Sequence, residues 1–481
     1  MDLQELKNKV YDFAIECGMK PRNPRSNDDS TRICTKDTID SKKCNSITRD
    51  NTESSGAAYF GFIRPEESTS EAYRDLSLVF FPQSDGKVCV VSLGVGSNGL
   101  DNDMRLASLP GTRRLFMRLR ESNRKTFFKN DFSDINNPSD DLFKELSNTT
   151  LSIERYKNVL PASEIVFFDG NNDEEGLNRL KAWIATYASF REWPTNQGNR
   201  NAIDKYLPEP RSQDVSCGDI YNILKKNRFI VLEGAPGTGK TYNALKIASD
   251  YFQNEVVFEQ FHAETTYSDF VWGIRPILDG STIGYEPKTG TLLRAIEKAE
   301  KTPNDVLLII DEINRANLSN VLGPVFYLFE KNSENRDFEL EIGDRKIKSL
   351  PENLYVIATM NTADRSLAVV DFALRRRFTW ITLKPHKIEF DTNAGKVFHK
   401  KVFDYISELF EKYANDNELN LQPGHSYFIT DSTSADELMK DRLRYELMPL
   451  IKEYLNEGYL SAARDEFSNY FYQELGVNMY E

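Results

Sequence analysis

Cysteine and histidine are scarce in this sequence. Its 481 residues include five cysteines and four histidines, and no two cysteines form a CxxC pair. This spacing argues against a structural zinc site and against a disulfide framework, and it suits a reducing compartment. With so few histidines, a histidine-rich metal centre is not expected either.

Long apolar runs and an excess of positive charge are also missing. No apolar run reaches the roughly 18 residues of a membrane-spanning helix. The first residues, MDLQELKNKVYDFAIE, predict a charged amphipathic helix rather than a signal peptide. The formal net charge is −13, so DNA would have to be bound through a local basic patch. Because we predict neither a signal peptide nor a membrane-spanning helix, and the cysteines suit a reducing compartment, we expect a cytoplasmic protein.

The chain is long enough for several domains, and its composition divides it into four parts. Residues 1–195 mix predicted strands and helices and form an N-terminal α/β recognition domain, with a polar excursion at 20–56. Proline, glycine and asparagine mark a linker at 196–212. Residues 213–388 alternate apolar strands with helices, which is typical of a parallel sheet buried on both faces. Residues 389–481 are mainly helical and are predicted to form a lid and a C-terminal tail.

The N-terminal part offers several local signals. LSLVFFPQSDGKVCVVSL predicts a β-hairpin around Asp85-Gly86. EIVFFD predicts a strand, and RRLFMRLRESNRKTFF and EGLNRLKAWIATYASF predict helices. Together they indicate a mixed α/β fold.

A glycine-rich motif, GAPGTGKT, begins at Gly234 and matches G-x-x-x-x-G-K-[ST] between a predicted strand and a predicted helix. The glycines let successive N–H groups face a phosphate, and the helix N-terminus adds partial positive charge. Lys240 is expected to reach the β- and γ-phosphates, and Thr241 is expected to ligate Mg²⁺. The predicted nucleotide-binding residues are Gly234, Ala235, Pro236, Gly237, Thr238, Gly239, Lys240, Thr241 and Tyr242.

The segment VLLIIDE brings two carboxylates to the end of a buried strand. Asp311 is predicted to hold the Mg²⁺ shell, and Glu312 is predicted to polarise the attacking water. A core strand that ends in a helix cap is the simpler alternative. The order of the motifs and the gap of roughly 70 residues after Lys240 favour a P-loop enzyme of the additional-strand type.

The stretch TMNTADRS, residues 359–366, has three interpretations. Asn361 and Asp364 could form a variant of a guanine-reading N-K-x-D loop, Asn361 could be a phosphate sensor, or the stretch could be a helix-capping turn. A strand between the P-loop strand and the Asp311 strand would point Asn361 at the γ-phosphate. The chain contains no N-K-x-D, so we favour the sensor, with Asp364 and Ser366 organising the turn and a subunit contact.

Three arginines follow in LRRRF. Such a run usually forms a solvated face. Its position after a sensor also suits a subunit edge, from which an arginine can reach a neighbour's γ-phosphate. We favour Arg377 for this role, followed by Arg376.

The segment RLASLPGTRRLFMRLRESNRKTFFK concentrates positive charge in an acidic chain. It could follow a phosphate backbone, or it could be the solvated face of an amphipathic helix. The candidate DNA contacts are Arg113, Arg114, Arg118, Arg124 and Lys125.

Several longer segments resemble one known family. They are FHAETTYSDFVWGIRP, IIDEINRANLS, MNTADRSLAVVDFALRRRF and GHSYF. From about residue 229 to 454 the chain is similar to the McrB family, the AAA+ GTPase subunits of methylcytosine-specific, McrBC-type restriction systems. The resemblance does not extend to residues 1 to about 200.

This resemblance implies an AAA+ αβα core with a helical lid, assembled into a hexameric ring with nucleotide and Mg²⁺ between subunits. It favours GTP, although the phosphate and metal contacts would be the same for ATP. It implies that Asn361 works with Arg315 and Asp364 near the catalytic water. Arg376 and Arg377 would act from the next subunit, and His425 would lie in the lid.

The resemblance also implies partners. The ring would power DNA restriction and phage defence with a separate McrC-like endonuclease, and the N-terminal domain would bind DNA, modified or not. No nuclease constellation stands out in this chain. The alternative function is an AAA+ ATPase that remodels a protein partner without binding DNA.

Overall fold

The computed structural model divides into two compact units, Met1–Arg211 with Glu411–Tyr413, and Ser212–Phe410 with Ala414–Glu481. Within the described residues, no helix is both long and apolar enough to cross a membrane. The predicted polar excursion at 20–56 lies outside the described residues, except for Arg32–Ile33. The structure describes residues 2–19, 32–33, 59–64, 67, 73–83, 86–121, 125–138, 140–147, 153–168, 170, 173–208, 215–253, 255–279, 282–330, 339–363, 372–390 and 395–480.

The first unit is built on a six-stranded antiparallel sheet in the order β1-β2-β3-β4-β6-β5. The predicted hairpin is confirmed, since Leu76 to Pro82 pairs antiparallel with Val95 to Cys89. The strand bounds are β1 Arg32–Ile33, β2 Phe60–Ile63, β3 Leu76–Pro82, β4 Val88–Val95, β5 Thr126–Phe128 and β6 Ala162–Phe167.

Helices flank this sheet, and the longest carries the fully buried Trp183 and Tyr187 into the core. The predicted N-terminal helix is confirmed, and the Asp2 side chain caps it by accepting a hydrogen bond from the Glu5 N–H. The helices are α1 Leu3–Glu16, α2 Met104–Ser108, α3 Pro110–Met117, α4 Asp140–Leu146, α5 Asp173–Phe190 and α6 Gln197–Asp204, with a 3₁₀ turn at Glu154–Tyr156.

The helix predicted over RRLFMRLRESNRKTFF is wrong in its second half. Helix α3 ends at Met117, and Thr126–Phe128 forms strand β5. These residues pair with Ala162 to Glu164 of β6. Threonine and phenylalanine favour strands, and pairing with a sheet edge outweighs the helical pattern of the arginines upstream.

The second unit contains a five-stranded parallel sheet in the order β15-β7-β14-β11-β8. Its central strands are buried along their whole length and are mostly apolar, because both faces of the sheet are covered. The strands of this unit are β7 Phe229–Gly234, β8 Val256–Gln260, β9 Trp272–Asp279, β10 Thr282–Thr289, β11 Val306–Asp311, β12 Leu340–Ile342, β13 Arg345–Ile347, β14 Leu354–Asn361, β15 Thr379–Thr382, β16 Lys396–Phe398 and β17 Ile429–Asp431.

Helices cover both faces of this sheet and make up most of the chain beyond residue 400, so the predicted parallel α/β core with a helical C-terminal part is confirmed. Short 3₁₀ turns lie at Ile313–Arg315, Gly323–Phe329, Glu418–Leu421, His425–Phe428 and Ser461–Ala463, and a π-helical turn lies at Leu443–Leu447. The helices are α7 Cys217–Asn227, α8 Lys240–Tyr251, α9 Tyr267–Phe270, α10 Thr291–Lys301, α11 Leu318–Val321, α12 Phe372–Arg377, α13 Lys400–Tyr413, α14 Ala435–Arg442, α15 Met448–Asn456 and α16 Arg464–Leu475.

The β9–β10 ribbon was not predicted. Its register pairs Ile274 with Pro287, Pro276 with Tyr285 and Leu278 with Ile283, so these six apolar residues share one face. All six are exposed. Predicting strands from apolar residues assumes that those residues face the core. The assumption fails here, because this apolar face is not part of the core.

Candidate nucleotide-binding site

The phosphate-binding loop connects β7 to α8. Strand β7 ends at Gly234, and α8 begins at Lys240. Gly237 and Gly239 have φ angles of 79° and 80°, a left-handed conformation that favours glycine. The loop therefore has the curled backbone that the motif predicts, and the exposed Tyr242 follows it on α8.

The Lys240 side chain is folded inward. Its Nζ donates hydrogen bonds to the carbonyl oxygens of Gly234 at 3.0 Å and Ala235 at 2.8 Å, and the residue is 7% exposed. Thr238 Oγ1 donates to the Ala235 carbonyl at 2.9 Å. The ammonium group thus lies within the concave loop, where a P-loop lysine can neutralise phosphate charge.

Asp311 lies at the end of β11 and accepts hydrogen bonds from three side chains. Thr241 Oγ1 donates to Oδ1 at 2.8 Å, and Thr359 Oγ1 donates to the same oxygen at 2.6 Å. Gln260 Nε2 donates to Oδ2 at 3.4 Å. The parallel sheet brings these residues together, because the carboxyl ends of β8, β11 and β14 meet at the edge beside the P-loop.

Glu312 adopts an unusual backbone conformation. Its φ and ψ are 55° and 45°, in the left-handed region that non-glycine residues rarely occupy. Its N–H donates to Thr359 Oγ1 at 3.0 Å, and its Oε2 accepts from Arg315 Nε at 3.3 Å. Such strain tends to cluster at functional sites, where the surrounding structure holds a side chain in place.

Asn361 ends β14, and this strand lies between the P-loop strand and the Asp311 strand, as predicted. Asn361 pairs in register with Gly234 and is 8% exposed. Its carbonyl accepts from Asn314 Nδ2 at 3.1 Å, and its own Oδ1 accepts from the Ala363 N–H at 3.1 Å. The side chain therefore also stabilises its own turn. The predicted partners Asp364 and Ser366 lie outside the described residues.

The arginines of LRRRF differ in accessibility. Arg377 is buried, pairs with Glu330 and lies 5.5 Å from the centre of the Phe326 ring. The Arg376 side chain is 66% exposed and reaches the same Glu330 at 3.0 Å. Arg375 lies over the Trp380 ring at 4.8 Å. Arg376 is thus the more accessible of the two predicted trans-acting arginines.

The oxygens around Asp311 fit a magnesium ion. Thr241 and Asp311 offer the hard oxygen ligands that Mg²⁺ prefers, directly beside Lys240. Among the described residues, no cluster of three or more acidic, histidine or cysteine side chains could hold a metal alone. Mg²⁺ is usually held by one or two protein side chains together with phosphates and water, a role that Thr241 and Asp311 fit.

Sequence reasoning missed two parts of this site. Thr359 is a polar residue that follows the apolar run LYVIA. It lies two residues before Asn361 and therefore on the same side of the strand. This position could have identified it as a site residue. The segment GHSYF was noted, but its contact with the P-loop was not predicted. There, the Gly424 and Ser426 N–H groups donate to P-loop carbonyls at 2.9 and 3.1 Å.

Among the described residues, the predicted DNA contacts do not form one exposed basic face. Arg113 Nε donates to the Lys129 carbonyl at 3.0 Å, and Lys125 pairs with Glu145. The Arg118 side chain is 11% exposed, and burial followed by the nearby charge of Arg114 lowers its pKa. Of the remaining two candidates, Arg114 is half-buried, and Arg124 lies outside the described residues.

Comparison with known proteins agrees with this geometry. Residues 230–378 match the model of the AAA domain, dynein-related subfamily. A Bacillus subtilis relative, the type II restriction enzyme BsuMI component YdiS, is 30% identical over 47% of this chain and 78% of its own length. An Escherichia coli relative, the type IV methyl-directed restriction enzyme EcoKMcrB subunit, is 36% identical over 260 residues. This chain belongs to the McrB family of AAA+ proteins.

The match to the E. coli member of the McrB family covers 48% of this chain and only 54% of the relative, and it leaves the N-terminal part unmatched. A solved structure of a proposed ATPase from Cytophaga hutchinsonii is 20% identical, with a TM-score of 0.25, over 44% of this chain and 56% of that one. Family membership therefore rests on the AAA region.

Proposed function

We propose that this protein is the nucleoside triphosphatase of a restriction system, and that it hydrolyses GTP or ATP. The observation that carries the proposal is the set of contacts around Asp311, which joins the P-loop residue Thr241 to the strand that ends in Asn361. A structural P-loop would not need an acidic residue, a second carboxylate and an amide at one sheet edge.

Each residue has a chemical role in this proposal. Lys240 neutralises the β- and γ-phosphates, and Thr241 and Asp311 hold Mg²⁺, which supplies charge neutralisation when bound. Glu312 accepts a proton from the attacking water. Asn361 orients that water with Arg315 and Asp364.

The nucleotide is proposed to be GTP, with ATP as the alternative. Membership of the McrB family favours GTP, while the residues at the phosphates would serve either triphosphate. Turnover of GTP and ATP by the purified protein, measured as phosphate release at equal concentrations, decides between them. Faster turnover of ATP would contradict the GTP preference.

We further propose a hexameric ring that works with a McrC-like endonuclease subunit. Both curated relatives are described as one subunit or component of a restriction enzyme, which supports a separate nuclease partner. The exposed Arg376 supports trans action between ring subunits. Sedimentation of the protein with Mg²⁺ and triphosphate should give a species of about six subunits.

The N-terminal unit is proposed to bind DNA. The structure supports this role less strongly than the nucleoside triphosphatase role, because the basic residues are partly buried or paired. Gel shifts with modified and unmodified duplexes test it. Failure to bind either duplex would favour the remodelling of a protein partner instead.

The central test of nucleotide binding by the P-loop is Lys240→Ala. Loss of the buried ammonium should abolish tight nucleotide binding in a fluorescent-nucleotide titration. Lys246→Ala, on the exposed side of the same helix, is the matched control and should bind like the wild type. Unchanged affinity of Lys240→Ala would overturn the P-loop assignment.

A further inference from the structure

The segment Gly424–Tyr427, which we term the clamp segment, is joined to the P-loop through backbone atoms. The Gly424 N–H donates to the Pro236 carbonyl at 2.9 Å, and the Ser426 N–H donates to the Gly237 carbonyl at 3.1 Å. Neither bond belongs to a helix or a sheet. The two bonds fix the clamp segment against consecutive residues of the loop.

The backbones of the clamp segment and the P-loop approach each other very closely. A Cβ atom added to Gly424 would lie 1.9 Å from the Gly237 carbonyl carbon and 2.3 Å from the Thr238 nitrogen. A Cβ added to Gly237 would lie 2.4 Å from Ser426 Oγ. Gly424 has a φ of −68°, which any residue can adopt, so proximity to the P-loop and not backbone conformation requires glycine here.

His425 extends the contact towards the helix N-terminus. Its Nε2 lies 3.4 Å from the position of a Cβ on Gly239, the residue that precedes Lys240. The imidazole is 8% exposed and its ring centre lies 4.3 Å from that of His386. The ring therefore packs against the last turn of the loop before α8.

The clamp segment is also tied to the C-terminal helices, and the 3₁₀ turn that precedes it, Glu418–Leu421, contacts the residue after β14. Arg442 Nη1 on α14 donates to the Ser426 carbonyl at 2.6 Å. Thr362 Oγ1, next to Asn361, donates to the Asn420 carbonyl at 2.8 Å. A movement of the C-terminal helices would consequently reach both the P-loop and the turn that holds Asn361.

We propose that the clamp segment holds the P-loop in its nucleotide-binding conformation, with His425 as a positioning residue that fixes Gly239 and the start of α8. This inference rests on the proposed nucleoside triphosphatase function. Lys240 and the loop N–H groups bind the phosphates, and the clamp segment determines how well they are aligned. By reciprocity, bound nucleotide must hold the clamp segment more tightly.

The first test measures triphosphate affinity of Gly424→Ala and His425→Ala. Both should weaken binding by about tenfold or more, within the usual range of coupling between sites. Gly218→Ala is the matched control, because a Cβ there meets only Ser216 Oγ at 3.8 Å, and it should bind like the wild type. Lys240→Ala gives the triphosphate affinity that is expected when the P-loop no longer binds the phosphates.

One outcome is that Lys240→Ala loses binding while both clamp variants keep wild-type affinity. That result would contradict the role of the clamp segment but not the proposed function. A wild-type protein that binds no triphosphate would overturn both.

The second test needs no clamp variant and so remains decisive if Gly424→Ala does not fold. Hydrogen exchange is followed at the Gly424 and Ser426 amides of the wild type, with and without Mg²⁺ and triphosphate. We expect exchange at both to slow by about tenfold, and by less at His399, whose N–H donates to the Phe428 carbonyl and not to the P-loop. Equal slowing at all three amides, or none, would overturn the proposal. Lys240→Ala should abolish the difference.

Discussion

Thr359 donates a hydrogen bond to Asp311 over 2.6 Å and accepts one from the N–H of Glu312 over 3.0 Å. One hydroxyl therefore orients the proposed metal ligand and the strained residue that follows it. Thr359 is 1% exposed, so water does not compete for either bond. Replacing this hydroxyl should disturb hydrolysis before it disturbs the fold.

Thr359→Val is expected to lower the rate of hydrolysis about tenfold or more while nucleotide binding persists. Valine keeps the shape of threonine but leaves the Glu312 N–H without its acceptor, at a cost of about 1–3 kcal/mol. Phosphate release and nucleotide titration are compared with Thr186→Val, a buried threonine in the first unit whose Oγ1 donates to the Ala182 carbonyl. Unchanged turnover in Thr359→Val would remove Thr359 from the site.

Glu312→Gln is expected to bind nucleotide and hydrolyse it barely at all. The amide keeps the size of the side chain and its left-handed backbone but cannot accept the proton of the attacking water. Assembled rings should therefore accumulate, which sedimentation with triphosphate would detect. Wild-type turnover would mean that another group activates the water.

The parallel core was predictable because its strands, such as VLLIID and LYVIATMN, are continuous apolar runs that end in polar residues. The P-loop was predictable because its glycines adopt backbone angles that few other residues tolerate. Two other contacts between residues far apart in the sequence were not predictable. The strand Thr126–Phe128 depends on β6, and the contact of Gly424 with Gly237 joins residues far apart in sequence. Local patterns contain no information about such partners.

The core of the first unit contains a buried ion pair that should control its stability. Arg179 donates to Glu164 through Nε at 2.8 Å and Nη2 at 2.7 Å, and Trp183 Nε1 donates to the same carboxylate at 2.8 Å. Arg179→Met should cost about 3–5 kcal/mol, because it leaves a buried carboxylate without its charge partner.

Denaturant unfolding followed by tryptophan fluorescence measures this cost. Lys144→Met, which removes an exposed pair with Asp141, should change stability by no more than about 0.5 kcal/mol. A loss in Arg179→Met no larger than that of the control would show that the buried pair contributes little.

His425 should make stability depend on acidity. Burial, followed by the nearby charge of His386, lowers the pKa of His425 from its usual 6.5 to about 4. Between these two values the unfolded chain binds a proton that the folded chain does not. The contribution of His425 to stability is therefore complete above about pH 6.5 and is lost as the pH falls towards 4.

His425→Asn should flatten this dependence, whatever its effect on absolute stability. Thermal unfolding at pH 7.5, 6 and 5 measures the slope. His262→Asn removes an exposed histidine and should retain the wild-type slope. A slope in His425→Asn as steep as that of the wild type would assign the effect to other groups.

Substitutions of Arg376 and Arg377 should have different effects, because we expect Arg376 to act on a neighbouring subunit and Arg377 to stabilise the fold. Arg377 is buried and paired with Glu330, so Arg377→Ala should lower the unfolding temperature. Arg376 is exposed, so Arg376→Ala should keep wild-type stability and nucleotide binding but hydrolyse poorly, since an arginine finger contributes about 10³ to 10⁵ in rate.

Mixing tests the trans role. Arg376→Ala subunits retain Lys240, and Lys240→Ala subunits retain Arg376, so mixed rings contain some complete sites. Partial recovery of hydrolysis is expected on mixing two inactive variants, and Arg375→Ala, whose side chain stacks on Trp380, is the neighbouring control. If the variants assemble together and hydrolysis stays at the background of each, Arg376 does not act on a neighbour. Recovery with Arg377→Ala in place of Arg376→Ala would assign the finger to the buried arginine, which would then have to leave Glu330 on assembly.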